Sequence, residues 1–162
     1  MADQKVRVLV ERLGKGRVRL RFLSREAAAH ADAAARDEGP GLLTGGVIES
    51  GLLGHEALLA SIALGHMEAY AALCERNDLR IEVYRDDAVA MDRYSDDAEF
   101  PGTHVLLRPR LAFFGADSSE ARATAIRLLN EALGQSVFFE APRITIEIDP
   151  VFEFQNLDTP KS

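Results

Sequence analysis

The sequence predicts an α+β domain: an antiparallel-rich sheet carrying a long buried central helix and a second, amphipathic helix. Three observations predict it. Strand-period alternation recurs in residues 5–23, 79–84, 104–114 and 143–148. Residues 53–77, LLGHEALLASIALGHMEAYAALCERN with the preceding leucine, keep a helical period and are apolar round most of the circumference, the pattern of a helix enclosed by its domain. Residues 118–133, SSEARATAIRLLNEAL, open on a serine cap and an acidic first turn, show amphipathic spacing and stop at Gly134. The chain of 162 residues shows no internal repeat and no linker, so residues 1–154 read as one domain and residues 155–162 as a polar tail.

In KVRVLVERLGKGRVRLRFL, Val6, Val8 and Val10, then Val18, Leu20 and Phe22, alternate with charged residues around a Gly-Lys-Gly turn. That is a hairpin with one buried face. The turn lacks the spacing of a phosphate loop and opens no helix. Residues 24–38 are alanine-rich with charges all round, and GPG at 39–41 ends them, which suits a short exposed helix or an ordered flap. Residues 42–50 read as a weak third strand, and the central helix follows. LRIEVY is a strand, residues 86–100 an acidic loop, residues 104–114 a long strand, and residues 143–148 the last strand.

Composition narrows the function. The chain is 47% apolar and 28% charged, with 26 acidic against 19 basic residues and a net charge of −7, which argues against a surface built on phosphate contacts and so against a nucleic-acid partner. No apolar stretch is read as approaching the roughly 20 residues that span a bilayer, and MADQKVRV is not a secretory leader. The expectation is a cytoplasmic protein with no membrane partner. Cys74 is the single cysteine, which excludes an intrachain disulfide and a cysteine-rich zinc site.

The central helix carries the ionisable residues that matter. Glu56 suits the positive end of the helix dipole. His66, among Ile62, Ala63, Leu64, Met67 and Tyr70, reads either as a hydrogen-bonded core histidine or as a general base whose ordinary pKa of about 6.5 suits proton transfer. In a straight helix Glu56 and His66 stand about 15 Å apart and cannot form a hydrogen-bonded pair. His66 and Tyr70 share a face that Cys74 continues, so a hydrogen-bonded His/Tyr pair is expected there and a metal site is not. His55-Glu56 starts like HExxH, but Leu59 stands where the second histidine is needed. Glu68 must reach solvent, a dimer neighbour or a buried arginine. Arg17, Arg19 and Arg21 share one face of the hairpin, by default a solvated one, while His30 and His104 look like surface or strand residues with nothing to bind.

The element order and the segment Glu56-Ala57-Leu58-Leu59-Ala60-Ser61, with His66 ten residues after Glu56, resemble the OsmC/Ohr family of organic hydroperoxide reductases. That family has a glutamate near the start of its central helix and a peroxide-attacking cysteine ten residues on. CERNDLRIEVYRDD resembles the family's helix exit, and PRITIEI its closing segment. Both redox cysteines are missing. The attacking position falls on His66, or on Gly65 when the register is read back from LRIEVY, and the resolving region reads LGQSVFFEAPRI, with Gly134, Gln135 and Ser136 nearest the lost cysteine and Ser136 and Glu140 as weaker site candidates. The resemblance implies an OsmC-like fold, a homodimer with composite pockets, and an arginine from the early strands at the substrate, one of Arg17, Arg19 and Arg21, of which Arg19 and Arg21 are taken as the candidates.

Three readings follow. The first is a non-thiol pocket that processes a small, largely apolar organic molecule by acid/base chemistry, with His66 and Glu56 catalytic, and Tyr70, Arg19, Arg21 and Ser136 holding substrate, without a cofactor. The second is a non-catalytic small-molecule-binding or interaction protein on the same fold. The third is a peroxidase recruiting Cys74 or an external thiol. Peroxide reduction needs a thiolate that becomes a sulfenic acid and a second thiol that resolves it, and imidazole does neither. Purified protein is therefore expected to show no dithiol-dependent turnover of cumene or tert-butyl hydroperoxide. Robust turnover in a coupled assay would overturn that exclusion.

Overall fold

The alternating valines form β1 (Lys5–Arg12), which pairs antiparallel with β2 (Val18–Phe22) and buries Val6, Val8 and Val10 on one side. The computed structural model describes residues 5–13, 17–23, 54–93, 102–136, 138 and 141–155. The Gly-Lys-Gly turn, the flap or helix expected at 24–38, the strand expected at 42–50, Glu140 and the tail beyond Gln155 lie outside these residues.

The central helix, α1 (Gly54–Arg76), packs on β1 and on β3 (Arg80–Arg93). A second helix, α2 (Ser119–Gly134), packs on α1 and starts at Ser118, whose Oγ accepts the Ala121 amide at 3.0 Å. By length and composition alone residues 55–76 are long and apolar enough to cross a bilayer, a property that the core helix of a folded domain shares, which corrects the reading of the sequence. His55, Glu56, His66 and Glu68 interrupt the run, yet its mean hydropathy stays high. In the fold half of this stretch is buried against the sheet and α2.

Two strand expectations change. β3 does not end at Tyr84 but runs through Asp86 and Asp87 to Arg93, so the acidic loop begins no earlier than residue 94. The two aspartates fit because alternation sends them to opposite faces, each onto a partner: Asp86 Oδ1 accepts the Arg108 amide at 2.8 Å, and Asp87 takes a bidentate pair from Arg7 at 2.6 Å. The strand expected at 104–114 is β4 (Gly102–Leu107) and β5 (Pro109–Phe114), interrupted at Arg108. Both pair antiparallel with β3 along one continuing register, from Thr103 opposite Asp92 to Val83 opposite Ala112.

The same interruption occurs one strand further out. β6 (Ile144–Ile148) runs parallel to β4, and β7 (Val151–Gln155) parallel to β5, with Asp149 and Pro150 between them. The offset is constant, so Pro150 stands level with Pro109, and neither has an amide hydrogen for the ladder. The sequence reading ended the sheet at Ile148 because Asp-Pro reads as a stop, and missed β7, whose Phe152 and Phe154 pack on Phe113. Among the described residues the sheet has seven strands, in the order β2-β1-β3-β4-β6 with β5 between β3 and β7. It is antiparallel-rich, with two parallel pairings at its far side.

Candidate functional site

On α1, Leu59, Ile62, Ala63, His66, Met67, Tyr70, Leu73 and Cys74 are buried, and the spacing of three and four residues makes them one stripe against the sheet and α2. His66 is its centre. The imidazole is 1% exposed, with Nε2 3.3 Å from the Leu129 carbonyl of α2 and Nδ1 3.3 Å from the Tyr84 hydroxyl of β3. A carbonyl only accepts, so Nε2 carries the hydrogen, and Tyr84 donates to the Nδ1 lone pair. Both ring nitrogens are thereby engaged by the protein. Burial lowers the His66 pKa, against a smaller raising effect of the Leu129 hydrogen bond, so the ring is neutral.

One turn on, the Tyr70 hydroxyl donates to the Ala125 carbonyl at 3.1 Å. His66 and Tyr70 are four apart on α1, and Leu129 and Ala125 four apart on α2, which is the match antiparallel helices provide. The sequence-expected His66/Tyr70 hydrogen bond is not formed. Their rings lie nearly parallel at 7° with centroids 6.3 Å apart, and each sends its polar atom to α2 instead. Cys74 is buried beside Tyr70. Its thiol is pushed up to about 11, by burial above all, with smaller lowering effects from Tyr70 and the Arg12 charge, so it is protonated at neutral pH.

The other expected site residues spread apart. Glu56 is buried in the first turn of α1, 1% exposed and engaged there by its own surroundings. Gly65, the alternative position for the lost thiol, is exposed, and a Cβ placed on it would meet no atom within 4 Å. Glu68 reaches solvent. Ser136 sits in the turn after α2, where its Oγ accepts the Phe138 amide at 3.2 Å. Arg19 and Arg21 project from the sheet face opposite the helices, so within one chain they do not meet His66, Tyr70 or Glu56. His104 has a partner the sequence did not suggest, Glu147 at 3.2 Å across the parallel β4–β6 pairing. Among the described residues, no three His, Cys, Asp or Glu side chains gather as metal ligands.

Sequence reasoning missed Tyr84 and Asp86. Tyr84 was legible only as an alternating strand residue, and nothing local marks it as the partner of a histidine eighteen residues earlier. Asp86 is fully buried on the helix side of β3, with Oδ2 lacking a hydrogen-bond partner. Its carboxyl is pushed up to about 7, first by burial and further by Asp87, against the lowering effects of the Arg108 amide and charge.

The solved structure of an OsmC-like protein of unknown function from Vibrio cholerae superposes on this chain with a TM-score of 0.55 at 16% identity, covering 88% of this chain and 82% of that one. The crystal structure of an OsmC-like protein from Mycoplasma pneumoniae gives a TM-score of 0.49 at 9% identity, over 90% and 95% of the two chains. No family model and no curated protein matches the sequence. The likeness to the Vibrio protein shows the fold, which is OsmC-like.

Asp86 generates a pH dependence. Its folded pKa is raised, so its stabilising contribution is fully present below the unfolded carboxyl value near 4 and is lost as pH rises through about 7. His66 runs the other way, since a lowered folded pKa gives stability that is present above about 6.5 and lost as pH falls below it. Asp86→Asn keeps an acceptor for the Arg108 amide and removes only the first dependence. The melting temperature of Asp86→Asn minus wild type is expected to become more positive between pH 5 and pH 8, and a constant difference would contradict the assignment.

Proposed function

Taking the OsmC-like fold as the premise, we propose that this chain is a non-catalytic homodimeric binding protein, holding a small, largely apolar molecule near the place where the OsmC/Ohr family that its sequence resembles carries the attacking cysteine. The observation that carries this reading is the engagement of both His66 ring nitrogens by Leu129 and Tyr84. A general base must offer a lone pair to substrate, and the Nδ1 lone pair is already taken. The one thiol is buried and protonated, which also removes the usual nucleophile. The polar centre of α1 is thus core architecture.

The dimer rests on what α1 leaves uncovered. A helix apolar on most of its circumference belongs inside a structure, yet Ser61, Gly65, Glu68 and Ala72 form an exposed stripe, flanked by half-buried Leu58, Leu64 and Ala69. Small residues at the centre of that stripe let a second helix approach closely, and the leucines beside it supply an apolar wall for a ligand.

His66→Ala tests the first part. It leaves the Tyr84 hydroxyl unsatisfied and opens a hole in the core, with an expected cost of about 3 kcal/mol, while a co-purifying small molecule, read by native mass spectrometry, is retained. A variant that melts like wild type would sink the core assignment and return His66 to catalysis. Gly65→Arg tests the second. Nothing in one chain obstructs the new side chain, so the variant is expected to keep the wild-type circular dichroism and to run as a monomer in light scattering, where wild type runs as a dimer. A monomeric wild type, or a variant still dimeric, removes the dimer from the proposal.

A further inference from the structure

The face of the sheet turned away from the helices carries a concentration of charge opposite to that of the chain as a whole. Arg7 on β1, Arg19 and Arg21 on β2, Arg85 on β3, Arg110 on β5 and Arg108 between β4 and β5 all lie on this side. Two carboxylates are ion-paired with them. Glu11 is shared by Arg85 at 2.6 Å and Arg19 at 3.5 Å, and Asp87 by Arg7 at 2.6 Å and Arg108 at 3.4 Å. With Lys5 and Arg80, which the register also places here, eight cations stand against Glu11, Asp87, Glu147 and Glu153, so this face is positive in a chain whose net charge is −7.

The vertical arrangement matters as much as the count. The side chains of Glu11 and Asp87 are 10% and 27% exposed, whereas those of Arg7, Arg19, Arg85 and Arg108 are 41% to 57% exposed. The acids form a floor and the guanidinium groups stand above it, with most of their five N–H donors still facing solvent. Arg21 stands opposite Leu9, and Arg110 directly opposite Arg85. A like-charged pair in direct register costs stability in a sheet, and the attraction of Arg110 to Asp87, weaker than that of Arg7, offsets only part of it. Neither Arg21 nor Arg110 has a carboxylate within ion-pair distance among the described residues.

We propose that this face docks a short acidic segment of a partner protein in extended conformation, with aspartates or glutamates at alternate positions. The match is one of charge and period. Alternate residues of an extended strand recur about every 6.8 Å, the repeat of Arg19 and Arg21 along β2. Guanidinium forks take carboxylates in two-point contacts, as Arg7 already takes Asp87. A single-stranded nucleic acid fits less well. Between the arginines the face offers Leu9, Val83 and Val89, and the ring of Phe114, further along β5 from Arg110, is already covered by the Arg80 guanidinium at 4.9 Å, which leaves it closed to a stacking base. A long polyanion would also meet the repulsion of the chain's overall charge, whereas a short segment is held within about one Debye length of the patch.

The test uses the full chain and a fluorescein-labelled ten-residue peptide of alternating glutamate and threonine, followed by fluorescence anisotropy. Saturable binding is expected at about 50 mM salt, weakening at least tenfold by about 300 mM. The double variant R21E/R110E breaks none of the ion pairs above and is expected to keep the wild-type melting temperature while losing at least tenfold in affinity. No saturable binding, binding unchanged in the double variant, or tighter binding of a labelled ten-nucleotide oligothymidylate would each overturn the proposal. Should the double variant melt early, the single variant R21E is read in its place, with a loss of about threefold expected and no loss overturning the proposal.

Discussion

Everything around the helix pair hangs on two side chains that reach across it. His66 and Tyr70 present their N–H and O–H to the carbonyls of Leu129 and Ala125, and Tyr84 ties the same imidazole to the sheet. Each of these carbonyls has a second lone pair, so it can serve its own helix and the cross-helix donor together. A leucine in place of His66 would fill space but would set neither the rotation nor the register of α1 against α2. The hydrogen bonds set both, in surroundings too dry for water to substitute. Ala125, fully buried and small, is what allows the approach.

The sheet side of the core solves a different problem. Two prolines on neighbouring strands stand level and interrupt both ladders, leaving backbone groups that need other partners. The Arg108 amide goes to the Asp86 carboxylate and the Asp149 amide to the Leu107 carbonyl. A fully buried aspartate is costly, and burial accordingly pushes its carboxyl up. The group is nevertheless placed where an amide would otherwise have gone without an acceptor. Its neighbour Asp87 faces the opposite way and belongs to the arginine network, so one Asp-Asp dipeptide serves two unrelated layers.

How far the sequence could be read follows from the range of the forces involved. The hairpin, α1 and α2 rest on local periodicity and caps, and these were legible to within a residue or two. The continuation of β3 and the existence of β7 were not, because acidic and Asp-Pro dipeptides are local signals for loops, and only distant partners, Arg7, Arg108 and the strand carrying Phe113, overrule them. His66 was recognisable as the residue to weigh, but its two partners lie 18 and 63 residues away. Periodicity can place a side chain on a buried face and cannot say what waits there. Net charge misled in a similar way, since −7 is an average over faces and conceals an arginine-rich one.

The aligned breaks at Arg108 and Asp149-Pro150 divide the far side of the sheet into an upper leaf, β4 with β6, and a lower leaf, β5 with β7, while β3 and β1 run past the gap unbroken. A sheet built this way has a spine and two pages. The lower page holds its aromatic cluster, Phe113 with Phe152 and Phe154, and the upper page is held through Val105 and Leu107 in the main core. Each can loosen without unzipping the other, so amide exchange along β6 and β7 would follow two separate openings although the strands are joined by only two residues. Evolution can then edit one leaf while the other, and the spine, keep the fold.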